Sequence, residues 1–155
     1  MKTALCSDVL KALAGKSLVT AESLTGGGIG AAITAVSGAS AVYKGGVISY
    51  TNAVKNQILG VPESVLDKFG AVSEQSARAM VTGVRKLLDA DVAVSVTGLA
   101  GPGADEFGHP VGTVFIGYAD ENTVLVRHCT FCGSREEIRE QTVVTALQLI
   151  LEQQM

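Results

Sequence analysis

Three segments of the sequence combine reactive side chains with glycine. The first is Ala21-Glu22-Ser23-Leu24-Thr25-Gly26-Gly27-Gly28. A serine at a strand end, followed by a helix that begins with glycines, sets a hydroxyl beside unpaired N–H groups and positive potential. Glycine also lets a ligand approach the backbone closely. The pattern suits a phosphate, or the oxyanion formed when Ser23 attacks a carbonyl. The plainer alternative is that Ser23 or Thr25 only caps the helix. The segment is neither a P-loop nor a Gly-x-Ser-x-Gly elbow. The second is Tyr50-Thr51-Asn52-Ala53-Val54-Lys55. With Asn52 as N-cap, Lys55 falls at the third helical position, where the positive helix end disfavours an ammonium. An ordinary lysine is only about 0.04% neutral at pH 7, so burial and the helix end would have to lower the pKa of a lysine base by a few units. The alternative is a solvated surface lysine.

The third segment, Thr97-Gly98-Leu99-Ala100-Gly101-Pro102-Gly103, runs on to His109-Pro110-Val111-Gly112. A long loop after a buried strand is often functional; otherwise it is a flexible connection. Arg135 and Arg139 add a cationic pair on one helical face. They suit a phosphate or carboxylate, or a salt-bridge network with Glu136, Glu137 and Glu140. His109 and His128 lack metal-ligand spacing. Cys129 and Cys132 have CxxC spacing, but along a strand the two thiols face opposite ways, and no second CxxC exists. They read as buried or edge thiols.

These groups need elements to hold them. Residues 4–14 read as a helix with Leu5, Val9, Leu10 and Leu13 on one stripe, and 17–22 as a strand leading into Ser23. A small-residue helix follows from Thr25 to about Val36, and 37–40 ends it. Residues 45–50 read as a strand and 53–59 as a helix closed by Gly60. A short helical piece anchored on Val65 and Leu66 precedes a longer helix from Ser73 to about Leu88. That helix carries Ala77, Met80, Val81, Val84, Leu87 and Leu88 at helical spacing. Residues 91–97 read as a strand covered on both faces, and 111–119 with 123–131 as a hairpin. The last helix spans 134–153, with Val143, Leu147, Ile150 and Leu151 inward. The pattern predicts a three-layer α/β/α fold around a mixed sheet of five or six strands. It leaves the strand order open. Ligands of open α/β sheets bind beyond the carboxyl ends of parallel strands, so the reactive segments are expected to meet at one site.

The 155 residues suit a single domain, 1–155. A net charge of −3 argues against a nonspecific nucleic-acid binder, and 47% hydrophobic with 17% charged residues argues against disorder. Glycine, at 18 residues, exceeds the ~7% of an average chain and must sit at particular turns. No apolar run approaches the ~20 residues of a membrane span, and the start does not resemble a signal peptide. A cytoplasmic protein with no membrane partner is expected. The apolar content and a mean hydropathy of +0.35 prompt a homodimer as the expected assembly.

Five motifs occur in order: Ala21-Glu22-Ser23-Leu24-Thr25-Gly26-Gly27, the run Gly46 to Lys55, Gly70-Ala71-Val72-Ser73, the run Val96 to Gly103, and Pro110-Val111-Gly112-Thr113-Val114. Together they resemble the CinA C-terminal domain family over nearly the whole chain. The resemblance implies an amidohydrolase that converts nicotinamide mononucleotide (NMN) and water to nicotinate mononucleotide and ammonia, in pyridine-nucleotide recycling, with no metal or redox cofactor. The family's nucleophile falls on Ser23, its lysine on Lys55 and its tyrosine on Tyr50. Thr25, Gly26, Gly27, Thr97, Gly98 and Gly101 would surround the substrate, with amides near Gly26 and Gly27 holding the oxyanion. Either Arg135 or Arg139 would bind the nucleotide. The chain departs from the family in having Ala104 after Gly-Pro-Gly, often glycine, and His109 before Pro-Val-Gly, often lysine. Larger relatives add a domain like those of molybdopterin-binding proteins. None is found in this sequence, which reads as the stand-alone form. The rival reading is a non-catalytic nucleotide-binding or regulatory module, which leaves the Ser23, Tyr50 and Lys55 combination without a role.

Overall fold

Leu18–Glu22 (β1) and Val92–Gly98 (β3) are buried along almost their whole length, as strands covered on both faces must be. In the computed structural model, which describes residues 2–155, they run parallel and adjacent within a five-stranded sheet of order β2-β1-β3-β4-β5. Tyr43–Ile48 (β2) adds parallel to β1. Thr113–Ala119 (β4) and Val124–Thr130 (β5) add antiparallel as the expected hairpin. Helices α1 (Lys2–Ala12), α2 (Gly28–Thr34) and α6 (Arg135–Gln154) cover one face; α4 (Glu63–Phe69) and α5 (Glu74–Leu87) cover the other. The architecture is the three-layer α/β/α fold with a mixed sheet.

The strand period of two sorts large side chains from small ones. Val92, Val94 and Val96 pack with Ile116, Tyr118, Leu147 and Ile150 under α6. Ala93 and Ala119 meet Met80, Val81 and Val84 of α5, while Ser95 Oγ donates to the Ala77 carbonyl at 2.8 Å. Small residues on that side let α5 lie close: a methyl on Gly117 would come within 2.9 Å of the Ala77 carbonyl oxygen.

Several boundaries differ from the pattern reading. β2 begins and ends two residues earlier, so Tyr50 lies beyond the strand. α2 starts at Gly28 rather than Thr25 because Gly26 and Gly27 are left-handed, at φ of 58° and 98°. Its end moves back to Thr34, and a short 3-10 turn, Ala39–Ala41, occupies the segment expected only to end it. On α1, which ends at Ala12, Cys6 and Val9 are buried, as is Leu13 just beyond it, while Leu5 and Leu10 are half-buried. Leu87, the last residue of α5, is exposed. Leu149 joins the inward face of α6, and Leu151 is half-buried.

α5 also passes the backbone of Leu59 so closely that a methyl on Gly83 would overlap the Leu59 carbonyl oxygen. Backbone cannot swing aside as a side-chain end can. Gly83→Ala is expected to cost about 1–3 kcal/mol by overpacking, despite the better helix propensity of alanine. Urea unfolding checks this: a midpoint equal to that of the wild type would contradict so close a helix approach.

Candidate active site

β1 and β3 end side by side, and the Ser23 amide extends their ladder by donating to the Val96 carbonyl at 3.1 Å. This fixes the backbone of Ser23, whose side chain is nearly buried. β2 ends beside them, held by the Ser49 amide on the Glu22 carbonyl at 2.7 Å. The chain then enters α3 (Asn52–Gln57). Thr51, not Asn52, is the N-cap; its hydroxyl accepts from the Val54 amide at 3.4 Å. Lys55 therefore sits at the fourth helical position.

The Lys55 side chain is 1% exposed. Its Nζ lies 3.0 Å from Ser23 Oγ, 2.7 Å from the Ser49 carbonyl and 3.3 Å from the Tyr50 carbonyl. Burial lowers its pKa to about 8. The expected depression is thus present, and of the two causes expected, burial and the helix end, it is desolvation that produces it. With pKa about 8, roughly a tenth of the amine is neutral at pH 7. A neutral amine has two N–H donors and one lone pair. When the hydrogens engage the two carbonyls, the lone pair is left to accept the Ser23 O–H.

A residue not picked out from the sequence organises the turn after Ser23. The Glu22 carboxylate, 2% exposed, accepts from Thr25 Oγ1 at 2.6 Å, from the Ile29 and Gly30 amides at 2.8 and 3.0 Å, and from Thr20 Oγ1 at 3.3 Å. The α2 end is therefore filled by the chain's own anion rather than open to a phosphate. The available signal was a lone carboxylate at the end of an apolar strand just before a helix, where the helix dipole favours it. Of the two glycine amides expected near an oxyanion, that of Gly26 is already donated to the Ser23 carbonyl at 3.1 Å. The amides of Leu24, Thr25 and Gly27 have no acceptor among the described residues.

Ser23 and Lys55 open onto a cavity of about 370 Å³ lined also by Tyr50, Thr97, Gly98, Gly101 and Arg135. Thr97 is buried, its hydroxyl on the Ala71 carbonyl at 2.8 Å. Gly98 lies where a methyl would come within 2.7 Å of the Thr113 carbonyl oxygen. Arg135 crosses the rim, donating to the Gly101 carbonyl at 2.6 Å and to the Tyr50 hydroxyl at 3.1 Å. Tyr50 is thus tied to Arg135, while Lys55 reaches Ser23 directly. Thr25, Gly26, Gly27 and Arg139 are not on the cavity wall. Arg139 grips the turn from α6, with Nε on the Leu24 carbonyl at 2.9 Å and an Nη on the Thr25 carbonyl at 3.2 Å. Among the described residues neither arginine pairs with a glutamate. Glu137 closes a capping box with Ser134, and Glu140 pairs with Lys2 at 2.9 Å.

The remaining polar features are structural. His109 is braced by Asp105 at 2.7 Å. Burial opposes ionisation of Asp105, yet hydrogen bonds from His109 and Phe107 outweigh it and hold the carboxyl below its ordinary pKa. His128 stacks on Phe115, ring centroids 4.5 Å apart. Cys129 is half-buried in β5, and Cys132 is exposed beyond it. A cleft of about 400 Å³ between α1 and the turn after α2 holds none of the reactive groups.

A family model described as the CinA C-terminal domain matches residues 2–154. The chain belongs to this family. It is 44% identical, over 93% of its length, to a CinA-like protein of Endomicrobium trichonymphae, covering 35% of that protein. It is 52% identical over 83% of its length to a putative competence-damage inducible protein of Bacillus cytotoxicus, covering 31% of it. The chain thus spans about a third of the curated relatives it matches. Among solved family structures, a CinA superfamily protein from Klebsiella pneumoniae superposes with a TM-score of 0.97 at 33% identity, covering 99% of this chain and 98% of that one. A competence/damage inducible protein from Agrobacterium tumefaciens gives 0.94 at 39%, covering 97% and 94%. No helix among the described residues is long and apolar enough to cross a membrane.

Desolvation of Lys55 has a thermodynamic signature. Its pKa is about 8 when folded and near 10.5 when unfolded. Between those values the unfolded chain binds a proton that the folded protein lacks, so stability rises with pH across this window. Lys55→Met lacks that titration. Urea unfolding from pH 7.5 to 10 is expected to show the wild type gaining on Lys55→Met by about 1–3 kcal/mol. A flat difference would mean that the folded lysine is not desolvated.

Proposed function

We propose that this domain is a serine–lysine amidohydrolase acting on the carboxamide of NMN. The observation that carries the reading is the 3.0 Å contact between Ser23 Oγ and a buried Lys55 amine that two carbonyls orient. A structural lysine gains nothing from a depressed pKa at the mouth of a cavity, whereas a base does. The family resemblance supplies the substrate. Arg135 on the rim supports it, as a guanidinium suited to a phosphate oxygen pair.

Neutral Lys55 takes the Ser23 proton as Oγ bonds to the carboxamide carbon. The carbonyl oxygen becomes an oxyanion, for which the unpaired Leu24 amide, on a residue of the cavity wall, is the available donor. The C–N bond then breaks, and the Lys55 proton leaves with ammonia. Water gives a proton to Lys55 and attacks the acyl carbon; Ser23 departs with that proton, restoring the neutral amine. No proton relay through Tyr50 is required, because the amine and hydroxyl are in direct contact. Tyr50 instead orients Arg135. The same reading assigns the domain to recycling of pyridine nucleotides in the cytoplasm.

Ammonia release from NMN tests this without added metal. Wild type is expected to release it, with kcat/KM rising through about pH 8 and then levelling. Ser23→Ala is expected to be slower by at least about a thousandfold with the fold intact. Tight binding of NMN by wild type with no ammonia would make the domain a nucleotide-binding module instead.

A further inference from the structure

We infer that Arg139 is a positioning residue for the nucleophile turn, not a contact for the substrate; the inference rests on the amidohydrolase reading above. Arg135 and Arg139 stand one helical turn apart on the same face of α6, yet they face different things. Arg135 lies on the cavity wall. Arg139 lies behind that wall, its guanidinium committed to the Leu24 and Thr25 carbonyls.

A trans peptide is planar, with its N–H directed opposite to its C=O. Holding the Leu24 carbonyl toward α6 therefore turns the Thr25 amide away from α6. Holding the Thr25 carbonyl sets the next peptide, whose Gly26 amide donates to the Ser23 carbonyl. Thr25 is gripped from the other side as well, its hydroxyl on Glu22 at 2.6 Å. Two consecutive peptide planes are thus pinned between a buried carboxylate and a guanidinium. With its carbonyl held by the Gly26 amide, the Ser23–Leu24 peptide directs its own N–H the other way. The Leu24 amide, which has no acceptor among the described residues and belongs to a residue of the cavity wall, is thus the donor whose direction Arg139 sets. Lysine cannot replace the arginine fully, because a point charge lacks the planar fork that bonds two carbonyls at once.

The experiment compares wild type, Arg139→Met, Arg139→Lys and Arg135→Met in two assays. The first is steady-state hydrolysis of NMN and of the same nucleoside without its phosphate. The second is the rate at which an alkyl fluorophosphonate modifies Ser23. There the Oγ–P bond forms, the P–F bond breaks and fluoride leaves, while the phosphoryl oxygen occupies the oxyanion position. Arg139→Met is expected to lower kcat about 10- to 100-fold on both amides with KM nearly unchanged, and to slow labelling by a similar factor. Arg139→Lys should recover part of both. Arg135→Met provides the contrasting signature, a raised KM for the phosphorylated substrate. If Arg139→Met instead raises KM for NMN alone and labels at the wild-type rate, Arg139 is a substrate contact and the inference fails. If wild type hydrolyses neither amide, the amidase reading fails, and labelling rates still decide whether Arg139 positions the turn. A wild-type Ser23 that resists the reagent overturns both.

Discussion

The site depends on one amine buried at the wall of the cavity. Lys55 is folded beneath the end of β2, against two carbonyls and one hydroxyl. A buried ammonium is disfavoured because no solvent offsets its charge. Two carbonyl acceptors relieve that cost only in part, so the amine titrates near neutral pH rather than far above it. The lowered pKa of Lys55 and the cost of its burial to the folded state thus have one source.

Glu22 connects the surroundings of Ser23 and Lys55. Its main-chain carbonyl holds Ser49, whose own carbonyl holds Lys55. Its side chain holds Thr25 and the start of α2, and so shapes the turn that carries Ser23. A carboxylate so deeply buried is stabilised here by four donors and the α2 dipole, without an ion pair among the described residues. Ser23 and Lys55 come from different elements, the turn after β1 and helix α3, yet both are referenced to this residue.

Much of this was legible in the sequence. The layers and the hairpin followed from periodicity, because strand and helix periods survive without tertiary information. Ser23 and Lys55 stood out through residue type beside glycine and caps. The strand order was not legible, since β1 and β3 pair across some seventy residues and no local pattern encodes that choice. A lowered Lys55 pKa was expected from burial and the helix end together; burial, a tertiary property, is the part the structure shows. Thr51 displaced Asn52 as the cap because both types satisfy a helix start, and the chain path decides between them. Arg135 and Arg139 share a helical face, so spacing could not tell them apart. They separate only because the glycine loop at Gly101 and the Ser23 turn meet α6 at successive turns.

α6 is a rod about 30 Å long by its 20 residues. Both arginines ride on its first two turns, so their placement reduces to a single variable, the rotational phase of the helix. Sliding the helical register by one residue would rotate each guanidinium by about 100° and unseat both together. The capping box at Ser134 and Glu137 sets that phase. It serves as the index mark from which the cavity rim and the Ser23 turn are jointly aligned.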